Sequence, residues 1–202
     1  MDMPKDRSNL LWDEMGSGVK LAEILQAALR NSAEGLSQMV GRPITIETPC
    51  IEAVPIGEVP HQVGGPETEM VGIYLLIEGD LPGQVILMFP LSEALHLVDL
   101  LMDLPSGTTT EFGELERSAL AETGNITASF FINEVARQTQ TSSRPSPPAV
   151  IIDMLGAILN IIASPIAMVS EEMVIVETTF REAERTVVAN FWVMPYPTEI
   201  QY

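Results

Sequence analysis

The chain is poor in the residues that build metal sites and disulfides. Its 202 residues include one cysteine, Cys50, and two histidines, His61 and His96. A lone thiol excludes an internal disulfide, and two isolated imidazoles give no ligand cluster for a transition metal. Basic residues are also scarce: 10 Lys and Arg stand against 28 Asp and Glu, a formal charge of −18. That charge repels phosphate backbones and anionic headgroups, which argues against nucleic acid and membrane surfaces as partners. There is no glycine-rich phosphate loop. The most apolar stretch, Ala149 to Val169, is interrupted by Asp153, Asn160, Ser164 and Pro165 and does not qualify as a membrane span. The first fifteen residues hold no apolar core of signal-peptide length, so a cytoplasmic location is expected. Apolar residues themselves are plentiful at 46%, enough for one sizeable core or two small ones sharing a sheet.

Hydrophobic periodicity divides the chain. Leu10 to Met39 reads as a helix with Leu21, Leu25, Ala28, Leu29 and Leu36 on one stripe, stopped by Gly41-Arg-Pro. Ile44–Glu47 and Ile51–Val54 read as short extended pieces around Pro49, and His61–Glu69 as a loop. Met70–Glu78 and Gln84–Phe89 flank a Gly-Asp-Leu-Pro-Gly turn and predict a hairpin. Pro90 to Met102 predicts a short helix opened by Ser92, with Asp103–Thr110 as a connector. Thr139–Pro148 reads as a proline-rich crossover, Ala149–Asp153 as a buried strand, and the next stretch as helical or irregular up to Pro165. Met173–Thr179 and Thr186–Val193 predict a second hairpin.

Helix, short extended piece and hairpin thus occur twice. One offset of 99 residues relates Glu23 to Glu122, Pro49 to Pro148 and Gly57 to Gly156. The expected architecture is α+β: two pseudo-symmetric halves, about 10–105 and 110–200, whose strands share one antiparallel sheet with two long helices packed on it. Each half is too small to bury its own hairpin, so the whole chain, 1–202, is expected to form a single domain.

Glu111 to Gln140 carries a conflict. It reads as one long helix, yet Gly124 and Asn125 sit at its centre and cost roughly 1–1.5 kcal/mol of propensity against two alanines. At 100° per residue Ser118, Glu122, Asn125 and Ser129 share a narrow polar stripe, while Leu120, Gly124, Ala128, Phe131 and Val135 lie opposite. Close packing accounts for a glycine on the apolar side; it does not account for Asn125. An ordinary wet face, or a helix C-cap at Thr-Gly-Asn, is the plainer alternative, weakened because apolar periodicity resumes through Ile126, Phe130, Ile132 and Val135.

The pattern Ser118-x3-Glu122-x2-Asn125, with Pro147 or Pro148 just over twenty residues on, resembles the phosphatase signature of the CheC, CheX and FliY proteins of chemotaxis. LSQMVGRPI, the internal repeat and DMLGAIL at Asp153–Leu159 extend the resemblance over nearly the whole chain. It implies a phosphatase acting on phosphorylated CheY, with no cofactor or metal of its own and Mg²⁺ supplied by the substrate. Asn125 would orient the hydrolytic water, since an amide both donates and accepts. Glu122 would dock against the receiver's lysine, Ser118 would lie at the rim, and Pro147 or Pro148 would turn the crossover away from the helix.

The first half departs from the pattern. Glu23-x2-Gln26 is preceded by Val19 where Ser118 stands, and Arg30 replaces Ser129. The extra methylene of Gln26 displaces the amide by on the order of 1 Å, enough to cost about 10²-fold in rate, and Arg30 is placed to compete for Glu23. This site is expected to be inactive or weak, the alternative being two sites of unequal rate. The resemblance also implies docking of the receptor deamidase CheD through Asp153, with Ile158 and Leu159 as apolar contacts; a buried strand-to-helix turn is the competing reading. A non-catalytic adaptor for CheD or another signalling partner is the second functional class. A switch component like FliY is a third, disfavoured because such proteins carry a further C-terminal domain. Arg117 and Arg137 are the basic residues expected to offset repulsion between two acidic proteins.

Overall fold

Apolar residues alternate along the hairpin strands, so a sheet built from them has two greasy faces, and both are covered. The computed structural model describes residues 18–48, 50–62, 64–167, 171–182 and 188–196. Among them the elements run α1 (Gly18–Val40), β1 (Ile44–Ile46), β2 (Cys50–Pro55), a 3-10 turn (Ile56–Glu58), α2 (Val59–Gln62), β3 (Glu69–Gly79), β4 (Gly83–Pro90) and α3 (Leu91–Leu101). They continue with α4 (Glu114–Thr139), β5 (Ser143–Pro145), β6 (Ala149–Met154), α5 (Leu155–Ala167), β7 (Glu172–Glu182) and β8 (Val188–Pro195).

The described strands form one antiparallel sheet in the order β1-β7-β8-β4-β3-β5, with β2 also on β7 and β6 also on β3. The two hairpins meet at the centre through β4 and β8. Their outer strands are then covered crosswise: β1 and β2 pair with β7, while β5 and β6 pair with β3. Each half therefore closes the hairpin edge that the other would leave open. The 99-residue offset relates α1 to α4, β1 to β5 and β2 to β6.

One face of the sheet presents Val71, Ile73, Leu75, Val85, Leu87, Phe191 and Val193 to α1, α3 and α4. The alternate residues Met70, Ile86, Met88, Trp192 and Met194 face α5 and Val59 of α2. Central strand β4 is consequently buried on both faces from Gly83 to Phe89. Phe131 of α4 packs on Phe191 at 5.3 Å between ring centroids, and Phe180 meets Phe191 edge-on at 5.7 Å.

Several local expectations need correction. The expected start of α1 at Leu10 lies outside the described residues up to Gly18. Proline-rich Thr139–Pro148 contains a strand, β5, and His61 and Gln62 lie in α2. Ala149–Met154 is a half-exposed edge strand with one partner, where a buried strand is expected. Ser92 does not cap α3: Pro90 precedes the helix and no side chain caps it. Helix α5 runs through Pro165 to Ala167. The proline leaves the Ile161 carbonyl without its helical donor, and Ile161 is 50% exposed, so water can replace that donor.

The connector after α3 is tied down by buried Asp99, which accepts from the amides of Gly107 (2.6 Å), Thr108 (3.1 Å) and Thr109 (2.8 Å). Burial pushes this carboxyl up, and the hydrogen bonds from Thr109, Gly107 and Thr108 outweigh it, holding Asp99 below its ordinary range. The tether fixes where α4 begins.

Candidate functional site

Helix α4 runs unbroken through Gly124-Asn125, from N-cap Gly113 to a left-handed Gln140. Its two faces divide as the periodicity predicts. Leu120, Gly124, Ala128, Phe131 and Val135 are buried; Ser118 and Glu122 are exposed, and Asn125 and Ser129 are half-buried. The core-side hydroxyls of Thr123 and Thr127 are satisfied by the carbonyls of Ala119 (2.9 Å) and Thr123 (2.7 Å).

Gly124 has a packing reason. A methyl group there would lie 3.1 Å from Ile73 Cβ and closer still to Ile73 Cγ2. Ile73 is fixed in the ladder between β4 and β6 and branched at the atom concerned, so it has little room to yield. Gly124→Ala is expected to destabilise the fold by about 1–2 kcal/mol, because overpacking in the upper part of its usual range, about 2–3 kcal/mol, outweighs the helix-propensity gain of about 1 kcal/mol. A lowered urea midpoint at unchanged slope checks this.

Beside the stripe runs a wall of prolines. Strand β5 pairs on β3 through Ile77 and Pro145, and β6 resumes at Tyr74 and Ala149, which returns the intervening residues to the side of α4. Together Ser118, Ala121, Glu122, Asn125, Pro145, Ser146, Pro147 and Pro148 line one open groove. Sequence reasoning reached Ser118, Glu122, Asn125 and the prolines; it missed Ser146, whose place between prolines in RPSPP was the available signal. Among the described residues, no protein group hydrogen-bonds the Asn125 amide or the Glu122 carboxylate. Both are left free for a ligand or for water. No group of three or more His, Cys, Asp or Glu that could hold a metal occurs among the described residues.

The first-half counterparts lie at matching positions on α1: Glu23 exposed, Gln26 half-buried, Arg30 exposed. The expected competition of Arg30 for Glu23 is not realised, since no ion pair joins them. The helices pack closely: Ser32 Oγ donates to the Thr127 carbonyl (2.9 Å), and a methyl on Gly35 would meet Phe130 Cδ2 at 2.6 Å. Asn31 Nδ2 donates to Glu134 Oε2 (3.2 Å), and the Glu134 carboxylate also takes two hydrogen bonds from Arg137 (2.9 and 2.6 Å) and one from Gln138 (2.8 Å). Arg137 is thus committed to Glu134, which leaves Arg117 as the exposed base beside the stripe.

At the other corner Asp153 is exposed, with Met154 53% exposed beside it. Ile158 and Leu159 are 0% and 4% exposed in the core beneath the sheet, so in this structure they cannot serve as apolar contacts for a partner.

No protein-family model matches the chain. It is 27% identical over 179 residues to the CheY-P phosphatase CheC of Bacillus subtilis (strain 168), covering 87% of this chain and 86% of that one. Thermotoga maritima FliY shares its fold with a TM-score of 0.70 at 19% identity, over 96% of this chain and 91% of that one. CheX in the CheX-CheY-BeF3-Mg complex of Borrelia burgdorferi has a TM-score of 0.59 at 14% identity, over 87% and 99% of the respective chains. Sequence and fold point the same way: the chain is similar to CheC in sequence and shares its fold with FliY and CheX.

Proposed function

We propose that this protein hydrolyses the aspartyl phosphate of a CheY-type response regulator. The observation that carries the reading is the pairing of a free carboxylate and a free amide, Glu122 and Asn125, one turn apart on a rigid helix and facing an open groove. Similarity to a CheY-P phosphatase, and a fold shared with CheX from a complex with CheY, support the same substrate class.

In this mechanism Asn125 holds a water in line with the phosphorus; the water attacks, the acyl-phosphate bond breaks, and inorganic phosphate and the aspartate carboxylate leave. The protein forms no covalent intermediate. Glu122 docks against the cationic lysine of the receiver and sets the register, and Ser118 contacts the rim. Magnesium belongs to the receiver's own acidic pocket. The chain supplies position, which is most of what phosphoryl transfer asks of a protein. The test is the decay of phosphorylated receiver with Mg²⁺ in the presence of this protein. Acceleration supports the reading, and an unchanged decay rate with folded protein sinks it.

A second reading is an adaptor. It is favoured by the exposure of Met154 (53%), next to Asp153 in sequence, and of Ile161 (50%) on α5, apolar side chains open to CheD or another signalling protein. Titration calorimetry with CheD, comparing the wild type with Asp153→Ala, tests the docking, and binding without any acceleration of receiver decay would favour the adaptor.

A further inference from the structure

The groove wall is held by an irregular seam. Between the pairs Ile77–Pro145 and Tyr74–Ala149, two residues of β3, Leu75 and Leu76, face three of the other strand, Ser146, Pro147 and Pro148. That is a bulge, and two of its three residues are prolines with no N–H to give. The seam closes on Ser146 alone. Its amide donates to the Leu76 carbonyl at 2.9 Å, and its hydroxyl oxygen accepts from the Leu76 amide at 2.9 Å, where a ladder carbonyl would otherwise be needed. The same hydroxyl donates to the Pro147 carbonyl at 3.1 Å.

The corresponding seam in the first half is built differently. There Thr178 and Thr179 of β7 lie between the pairs Ile46–Phe180 and Cys50–Glu177, and the Glu47 amide again donates to the opposite strand, at Thr179 O, 3.0 Å. The side chain, however, is turned outward: Glu47 Oε1 accepts from Arg181 at 2.7 Å. A hydroxyl does close this seam, but from the opposite strand: Thr178 Oγ1 donates to the Glu47 carbonyl at 2.7 Å, so a bulge residue that itself carries the pinning hydroxyl accompanies the half that has Asn125 and not the half that has Gln26.

We propose that Ser146 is a positioning residue for the phosphatase reaction: it pins the Pro147-Pro148 bulge to Leu76 and thereby fixes the wall of the groove against Asn125. This rests on the proposed function. Loss of the hydroxyl frees the wall without removing any group that binds the receiver, so the rate of the chemical step falls and affinity does not.

The experiment compares wild type, Ser146→Ala, Ser146→Thr and Asn125→Ala in dephosphorylation of the receiver, normalised to folded fraction by circular dichroism. Binding to the receiver held in its beryllofluoride form is measured alongside. Ser146→Ala is expected to lower kcat about tenfold or more, with KM and the beryllofluoride Kd within about twofold, and Ser146→Thr to restore kcat to within about threefold. If Ser146→Ala does not fold, Ser146→Cys, similar in size but a weak acceptor, is expected to show the same kcat loss. Wild-type kcat in folded Ser146→Ala and Ser146→Cys overturns the positioning role and leaves the phosphatase standing. So does a raised KM at unchanged kcat, which would make Ser146 a docking contact. If wild type and Asn125→Ala both leave the decay unchanged, the phosphatase reading and the role of Ser146 fall together.

Discussion

Asn125→Ala is expected to lower the phosphatase rate by about 10²–10³-fold, the range seen when a single group aligned on the reacting atoms is removed. KM should barely move, because Glu122 and Ser118 remain to dock the receiver. Stability should not suffer either: Asn125 is half-buried on the outer stripe, and alanine is the better helix former. Asn125→Gln is the sharper variant, since it keeps the amide and shifts it by on the order of 1 Å, which predicts a loss of about 10². A stopped-flow or autophosphorylation-coupled decay assay reads both. If Asn125→Ala retains wild-type kcat, the amide does not hold the water and the mechanism fails, whatever the activity of the protein.

The same logic bears on the first half. Gln26 occupies the position of Asn125 with a longer arm, so Asn125→Gln imports the first-half geometry into the second-half groove. An Asn125→Gln rate near that of Asn125→Ala predicts that Gln26→Ala changes nothing measurable. Partial losses from both Asn125→Ala and Gln26→Ala would instead assign unequal rates to two working faces.

Much of this could be read along the chain because it is written in local patterns. The stripes on α4 follow from 100° per residue, and the hairpins from alternation around Gly-Asp-Leu-Pro-Gly. The 99-residue offset gave two similar sets of elements. It did not give their exchange, in which β1 and β2 cover β7 and β5 and β6 cover β3, because strand pairing depends on which edges lie open in three dimensions. Proline content hid β5, since pairing through Ser143–Pro145 rests on β3 and on the hydroxyl of Ser146. Ile158 and Leu159 were misplaced for a related reason: an apolar helix looks alike whether a partner or its own sheet covers it. Here β4 and β8 bring Ile86 and Trp192 to that face, and the helix covers them. The glycine and the asparagine of α4, adjacent in sequence, separate into packing and chemistry only once Ile73 is seen beneath Gly124.

Glu134→Gln is expected to cost on the order of 3 kcal/mol at neutral pH and nothing well below about pH 2. Glu134 is 8% exposed, between α1 and α4. Hydrogen bonds from Arg137 do most to hold its carboxyl down, against the opposing effect of burial, with Gln138, the charge of Arg137 and Asn31 adding to the same end; the result is a drop from an ordinary 4.5 to about 2. A carboxyl depressed in the folded state contributes stability that is complete above its unfolded pKa and is lost as pH falls through the folded one. The wild type should therefore lose its advantage over Glu134→Gln between about pH 5 and pH 1. Urea midpoints of both proteins across that range read the difference, and a gap that stays constant with pH would show that the charge is not what stabilises the contact. The consequence reaches the groove. Asn31 is the cross-helix partner of this carboxylate, so protonation loosens α1 from α4 while leaving the Glu134–Gln138 turn on one helix. Asn125 stands on that same helix, about nine residues and 13 Å of helical rise away, so the clamp helps seat on α1 the helix that carries the amide.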